Sequence, residues 1–292
     1  MKRIVVLCDN TMGIPGNVFD DGLALMYLLG LGDVHIEAIC CTHGNNTTAN
    51  TFQATCRLVE ELGLDVPVFR GADAGSDQTS EAARYIAEAP DAHDGLMLLS
   101  LGATTDLAAA QKHRPGCLAR YRTVSLMGGI THSLVVGGKI LDELNFSVDG
   151  NAACETLRAA QEGAKLVLAD AWNCLPLTFG TNDFRARLID PGFAASSLLE
   201  AYCLPWMEFA HTTWGVDGFV GWDVLAAVAL ARPDYVVFEP FEVACNPQLL
   251  GVGYLERAQD ATLAAPISLV VVRSAQELCE HIYKAWEQAA QV

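Results

Sequence analysis

Short runs of β-branched and other apolar residues recur along the chain at 3–8, 35–41, 66–69, 96–101, 122–127, 165–169, 235–239 and 268–272. They are apolar nearly throughout rather than alternating with polar residues, which is the pattern of parallel strands buried on both faces. Between them, apolar positions recur at helical spacing from Thr51 to Leu62, Thr105 to Lys112, Asn151 to Gln161 and Ala275 to Ala290, as crossover helices would. The alternation predicts an α/β fold, a doubly wound and mostly parallel sheet. No internal repeat, low-complexity tract or long polar linker divides the chain, so residues 1–292 are read as one domain. Two segments stand apart from the pattern: Gly71 to Asp94, small and acidic, and Trp172 to Asp223, rich in aromatics, glycine and proline. Open α/β sheets bind ligands beyond the carboxyl ends of their strands, so the second segment predicts a lid within 172–222.

Composition narrows the function. With 18 Lys+Arg against 35 Asp+Glu, the formal charge is -17. That argues against binding a nucleic-acid backbone or an anionic membrane surface and suits a metal-dependent site or a neutral small molecule. No apolar stretch approaches the roughly 20 residues that span a bilayer. Met1-Lys2-Arg3 runs directly into the first strand, so a cytoplasmic protein is expected. The 10 cysteines are scattered singly or as the vicinal pair Cys40-Cys41, without C-x-x-C spacing, and read as buried free thiols rather than zinc ligands or a disulfide framework.

The chemistry begins at Asp20 and Asp21, between the first strand and the helical segment from Gly22 to Leu29. Acids at a helix N-terminus sit in its positive field, which suits them to hold a divalent cation or a polyhydroxylated substrate; the alternative is simple helix capping. Further polar clusters fall at predicted strand ends: Asp9-Asn10-Thr11, Thr42-His43-Gly44-Asn45-Asn46, Leu101-Gly102, Met127-Gly128-Gly129, Glu143-Leu144-Asn145 and Trp222-Asp223. Each has a structural alternative: an Asx turn at Asn45, an exposed loop pair at Glu143 and Asn145, close packing at Gly128-Gly129, a cap at Asp223.

Read in order, these clusters resemble the inosine-uridine preferring nucleoside hydrolase family over most of the chain. Asp9-Asn10-Thr11-Met12-Gly13 followed by Asp20-Asp21 partly matches the family's opening Asp-x-Asp-Pro-Gly-x-Asp-Asp. Gly44-Asn45, the segment Leu99 to Ala108, Ser125-Leu-Met-Gly-Gly129, Asp142-Glu-Leu-Asn-Phe-Ser-Val-Asp149 and Trp222-Asp-Val-Leu-Ala-Ala-Val228 resemble later motifs. The resemblance implies that family's open α/β fold and hydrolysis of the N-glycosidic bond of a ribonucleoside, by a homodimer or homotetramer. It implies calcium held by Asp9, Asp21, the Leu101 carbonyl and Asp223, and ribose contacts from Asp20, Asn45, Met127, Glu143 and Asn145. Calcium takes six to eight oxygen ligands, which carboxylates, a carbonyl, water and sugar hydroxyls can supply together.

The chain departs from the family pattern in three places. Thr11 stands where the family carries an Asp that binds calcium and activates water, and five residues, Pro15 to Phe19, are inserted before Asp20. Asp9 is the candidate replacement for that carboxylate, with Asn10 the alternative in a shifted register, and Asp9 and Asp20 are the candidate catalytic acids. Trp222 replaces a His that in many relatives protonates the leaving base; an indole can stack on a heteroaromatic base but not protonate it. His211 in the lid is the candidate proton donor, with His43 and Asp217 as alternatives. The stretch before the third motif is shortened, and Gly137 stands where an Asn often meets the 5′-hydroxyl. The departures fall on the base and leaving-group side, which suggests a modified nucleoside of the 7-deazapurine type. A non-catalytic nucleoside- or sugar-binding protein on the same fold is the competing reading. Phosphoryl transfer is disfavoured by the lack of a G-x-x-x-x-G-K-[ST] loop.

Overall fold

Eight strands form one sheet in the computed structural model, which describes residues 1–74, 79–260 and 262–291. They are β1 (Lys2–Cys8), β2 (Val34–Cys41), β3 (Val68–Arg70), β4 (Met97–Ser100), β5 (Val124–Met127), β6 (Leu166–Ala169), β7 (Val236–Ala244) and β8 (Ala264–Val272). Across the sheet the order is β7-β8-β6-β5-β4-β1-β2-β3. β1 lies centrally, parallel to both β2 and β4; parallel pairing continues from β2 to β3, from β4 to β5, from β5 to β6 and from β6 to β8.

One strand departs from the predicted parallel arrangement. β7 pairs antiparallel with β8 from Val236–Val272 to Ala244–Ala264. A parallel return needs a crossover of a dozen or more residues, usually helical, whereas the only helix between these strands among the described residues is the four-residue turn Pro247–Leu250. As the edge strand β7 is exposed from Val237 to Pro240 rather than buried on both faces, and an edge accommodates Pro240, which has no N–H to donate.

The longer helices are α1 (Asp20–Gly30), α2 (Thr48–Glu61), α3 (Glu81–Glu88), α4 (Thr105–His113), α5 (Gly150–Arg158), α6 (Ser196–Trp214), α7 (Trp222–Ala231) and α8 (Ala275–Ala290). Two apolar clusters follow the doubly wound pattern. One joins the sheet to α1, α6, α7 and α8; the other joins it to α3, α4 and α5. α7 is buried at every position from Asp223 to Ala231 because it packs against the sheet on one side and α1 on the other. α1 in turn meets α8 so closely that a Cβ at Gly30 would lie 1.8 Å from the Ala285 carbonyl oxygen. The indole of Trp286 on α8 donates to the Leu23 carbonyl at 2.8 Å.

The small acidic segment from Gly71 to Asp94 carries α3, capped by Ser80 accepting from the Ala83 amide at 2.9 Å; residues 75–78 of that segment lie outside the described residues. The segment predicted as a lid holds the 19-residue helix α6, which contains Pro205 and ends at Gly215 in the left-handed conformation, φ 68°. Among the described residues no helix is long and apolar enough to cross a membrane. All 10 cysteines are free, and eight of them are buried.

Candidate active site

Two helix N-termini meet beyond the carboxyl ends of the central strands. α1 opens with Asp20 and Asp21, and α7 opens with Trp222 and Asp223. Neither Asp20 nor Asp223 caps its own helix: the residues before the helices are Phe19 and Gly221, and no side chain makes a cap hydrogen bond. Asp20 instead accepts the Asp223 amide at 3.3 Å, tying the two helix starts together. One carboxylate oxygen from each of Asp20, Asp21 and Asp223 lies within 4.8 Å of the others.

This cluster is short of positive partners. Both Asp21 oxygens are buried with no hydrogen-bond partner. Burial pushes the Asp21 and Asp223 carboxyls well above the usual carboxylate range, and neighbouring aspartates add to the effect. Burial also raises Asp20 to about 6. Several acids held together away from water are costly unless a cation or proton neutralises them. The donor set is all oxygen and converges on one point, so Asp20, Asp21 and Asp223 fit a hard divalent cation.

Asp9, just beyond β1, is near enough for its charge to raise the Asp21 and Asp223 carboxyls, while its own hydrogen bonds run to Asn45. Its carboxylate accepts both the backbone amide of Asn45 and, at 3.2 Å, the Asn45 side-chain amide. It is fully buried, and burial lifts it to about 7 against the lowering effect of those hydrogen bonds. Gly44 makes the approach feasible, since a Cβ there would lie 2.1 Å from Asp9 Oδ2. Thr11 closes the inserted loop by donating to the Val18 carbonyl at 2.6 Å, and Asn10 is engaged with the Met12 amide and Thr55. Neither is turned to the carboxylate cluster.

A cavity of about 340 Å³ opens over the acids. Its polar lining comes from Asp20, Asn45, Asp142, Glu143, Asn145 and Asp223. Glu143 is held by the backbone amides of Asn145, Phe146 and Ser147 at 2.7, 2.9 and 2.9 Å, and burial raises its pKa. The Asn145 side-chain amide donates to the carbonyls of Leu101 at 2.9 Å and Met127 at 3.1 Å, which binds the ends of β4 and β5 to this loop. The apolar lining includes Leu101, Met127, Leu134, Leu141, Trp206, Trp214 and Trp222. The Trp222 indole N–H is buried without a partner.

Of the residues singled out from sequence, Asp20, Asn45, Leu101, Met127, Glu143, Asn145, Trp222 and Asp223 therefore line one cavity, while Asp9 and Asp21 are buried outside its lining. His211 is solvent-exposed on α6 and does not line the cavity. His43 is buried against Thr105, 3.0 Å from its hydroxyl, which donates onward to Asp149. Among the described residues, no His, Lys or Arg lines the cavity. Trp206 and Trp214 went unnoticed as individual residues in the sequence; the aromatic enrichment of 172–223 was the signal that held them.

The fold and the site belong together in the class of α/β enzymes that collect acids at strand ends. The family model described as inosine-uridine preferring nucleoside hydrolase matches residues 6–267, and the chain belongs to this family. It is 25% identical over 156 residues to the pyrimidine-specific ribonucleoside hydrolase RihB of Escherichia coli O157:H7, a match covering 44% of this chain and 48% of that protein. The chain thus spans about half the length of the curated relatives it matches. The fold is similar to that of the purine-preferring ribonucleoside hydrolase from Gardnerella vaginalis, with a TM-score of 0.85, 18% identity and 99% of each chain covered. It is similar also to the plant nucleoside hydrolase PpNRh1, with a TM-score of 0.82, 17% identity and 98% of each chain covered.

Proposed function

We propose that the chain hydrolyses the N-glycosidic bond of a ribonucleoside, releasing free base and ribose, with calcium at the acidic floor of the cavity. The observation that carries the proposal is that one cavity is lined both by carboxylates and side-chain amides and by three tryptophans. The carboxylates and amides suit the hydroxyls of a ribose; the indoles suit a flat heteroaromatic base. Residues 1–292 act in this proposal as one domain, with α6 contributing a lid over the base.

Asp20, Asp21 and Asp223 would hold the metal, together with the Leu101 carbonyl and Asp9. Bound there, calcium would fix the sugar hydroxyls and ease deprotonation of water. Asn45, Glu143 and Asn145 orient the ribose. The attacking water loses its proton to a carboxylate, and Asp20, which lines the cavity, is the proposed base. Asp9, at about 7 and buried behind Asn45, is the reserve acceptor. As the water oxygen bonds to C1′, the bond from C1′ to the base nitrogen breaks and its electron pair leaves with the base. The developing positive charge on the sugar is stabilised by the surrounding carboxylates. Trp222 stacks on the departing base. With no imidazole among the described lining residues, the departing base takes its proton from solvent; a modified base of the 7-deazapurine type is proposed because the departures from the family pattern fall on the leaving-group side.

A second reading, a non-catalytic nucleoside- or sugar-binding protein, is favoured by one observation: the Thr11 hydroxyl closes a loop instead of facing the acids. The deciding experiment is release of free base and ribose from a panel of ordinary and modified ribonucleosides, with calcium and with a chelator. Calcium-dependent release supports the hydrolase. Ligand-dependent thermal stabilisation without release supports the binding protein.

A further inference from the structure

Part of the cavity's apolar lining comes from two elements far apart in sequence. One is the hairpin that pairs Val135–Val136 with Lys139–Ile140. Its base is closed by the Leu141 amide donating to the Leu134 carbonyl at 2.9 Å, and both leucines line the cavity. The other is the C-terminal part of α6, which presents Trp206 and Trp214, their rings edge-to-face with centroids 5.7 Å apart.

The hairpin tip meets the C-terminal end of α6. The Lys139 ammonium donates to the Thr213 carbonyl at 2.7 Å, supplying a cationic donor where helix carbonyls lack partners. Beside it, Gly137 lies against the Trp214 backbone: a Cβ at Gly137 would be 2.1 Å from the Trp214 carbonyl oxygen and 2.8 Å from Val216 Cγ2. Gly137 has φ +57°, so its conformation and its close contact both favour glycine. Its neighbour Gly138 has φ +75° but nothing within 4 Å of a built Cβ. The two glycines share the turn and its backbone demand, and only Gly137 carries the contact.

We propose that Gly137, assisted by Lys139, is a positioning residue for the nucleobase: it lets the hairpin seat on the end of α6 and thereby holds Trp214 over the base side of the cavity. This rests on the nucleoside hydrolase reading for the identity of the occupant. The ribose and acid groups belong to α1, α7 and the loops at Asn45 and Glu143, so displacing the hairpin loosens the base without dismantling the carboxylates. A wider mouth admits the same nucleosides but holds them less tightly.

The test compares Gly137→Ala with Gly138→Ala, each against the unaltered chain, using the best nucleoside of the panel. Gly137→Ala is expected to raise KM about tenfold with kcat changed less than about twofold, a pattern of lost uniform binding. Gly138→Ala, with the same backbone strain, is expected to leave both near the unaltered values. Lys139→Ala, which strains no backbone, should move KM in the same direction by a smaller factor. Amide hydrogen exchange provides a readout that does not depend on turnover: Gly137→Ala should speed exchange in 134–141 and 206–216 and leave α7 unchanged. Equal effects of the two glycine substitutions, or no effect of Gly137→Ala on exchange in either segment, would overturn the proposal. If the unaltered chain releases base from no nucleoside, the hydrolase reading fails, and exchange alone decides whether Gly137 seats the roof.

Discussion

Replacing Asp21 by Asn separates the two faces of a buried acid: a liability in the metal-free chain and a ligand in the loaded one. Asp21 has both oxygens buried and unpartnered, and its carboxyl is pushed well above the ordinary value of 3.8, first by burial and then by the charges of Asp9, Cys8 and Asp20. In the metal-free folded chain it therefore keeps a proton that the unfolded chain has released. The folded state binds the extra proton, so stability is greatest below the unfolded value and falls as pH rises toward the folded one. The loss is about 1.4 kcal/mol per pH unit for such a group. Asparagine carries no proton to lose and removes that slope while keeping the side chain's shape. As pH rises above the unfolded value in chelator, Asp21→Asn should therefore gain stability, and Tm, relative to the unaltered chain. With calcium at about a hundred times its dissociation constant, the unaltered chain should gain about 2.7 kcal/mol and the variant almost none. Differential scanning calorimetry across pH, with and without calcium, reads all of these. Parallel pH profiles in chelator, or an undiminished calcium shift in the variant, would refute the reasoning.

Calcium affinity should rise with pH through the range set by Asp20, at about 6, and Asp9, at about 7, because these acids must lose protons before a cation is held well; titration calorimetry in buffers of different ionisation enthalpy should show protons released, and a pH-independent affinity would contradict the assignment. Trp222→His should broaden hydrolysis toward ordinary purine nucleosides by restoring a proton donor beside the leaving base, read as kcat/KM across the panel; an unchanged profile counts against a leaving-group role for this position. Gly30→Ala should destabilise the fold by about 1–3 kcal/mol through overpacking of α1 against the Ala285 carbonyl, measured by denaturant unfolding, with no preferential loss of ligand binding.

Much of the architecture is local and was therefore legible in the chain. Apolar runs marked the strands of the main sheet, most continuously β1, β4, β5 and β6, which are buried at most positions, whereas the edge strand β7 exposes Glu239 and Pro240. Ala275–Ala290 was bounded correctly, since Ser274 caps its start and its apolar face repeats at helical spacing. The pairing of Asp20-Asp21 with a helix N-terminus was visible for the same reason. Polar clusters at strand ends then pointed to eight residues that line one cavity, because a parallel sheet brings its carboxyl ends to one side.

What the chain did not reveal depended on how distant elements meet. The antiparallel return of β7 follows from the absence of a long crossover helix before β8, a property of the connection rather than of the strand. Asp9 accepts its hydrogen bonds from Asn45 because β1 and β2 are neighbours and Gly44 permits the approach. His211 points to solvent while Trp206 and Trp214 reach the cavity, a choice made by the packing of α6 and not by residue type. The sequence by itself determined the strands, the helices and the supply of carboxylates, because burial and backbone preference act over a few residues. Only the tertiary structure decided which carboxylates converge and which aromatics roof the space above them, because convergence depends on strand order and helix packing across the whole chain.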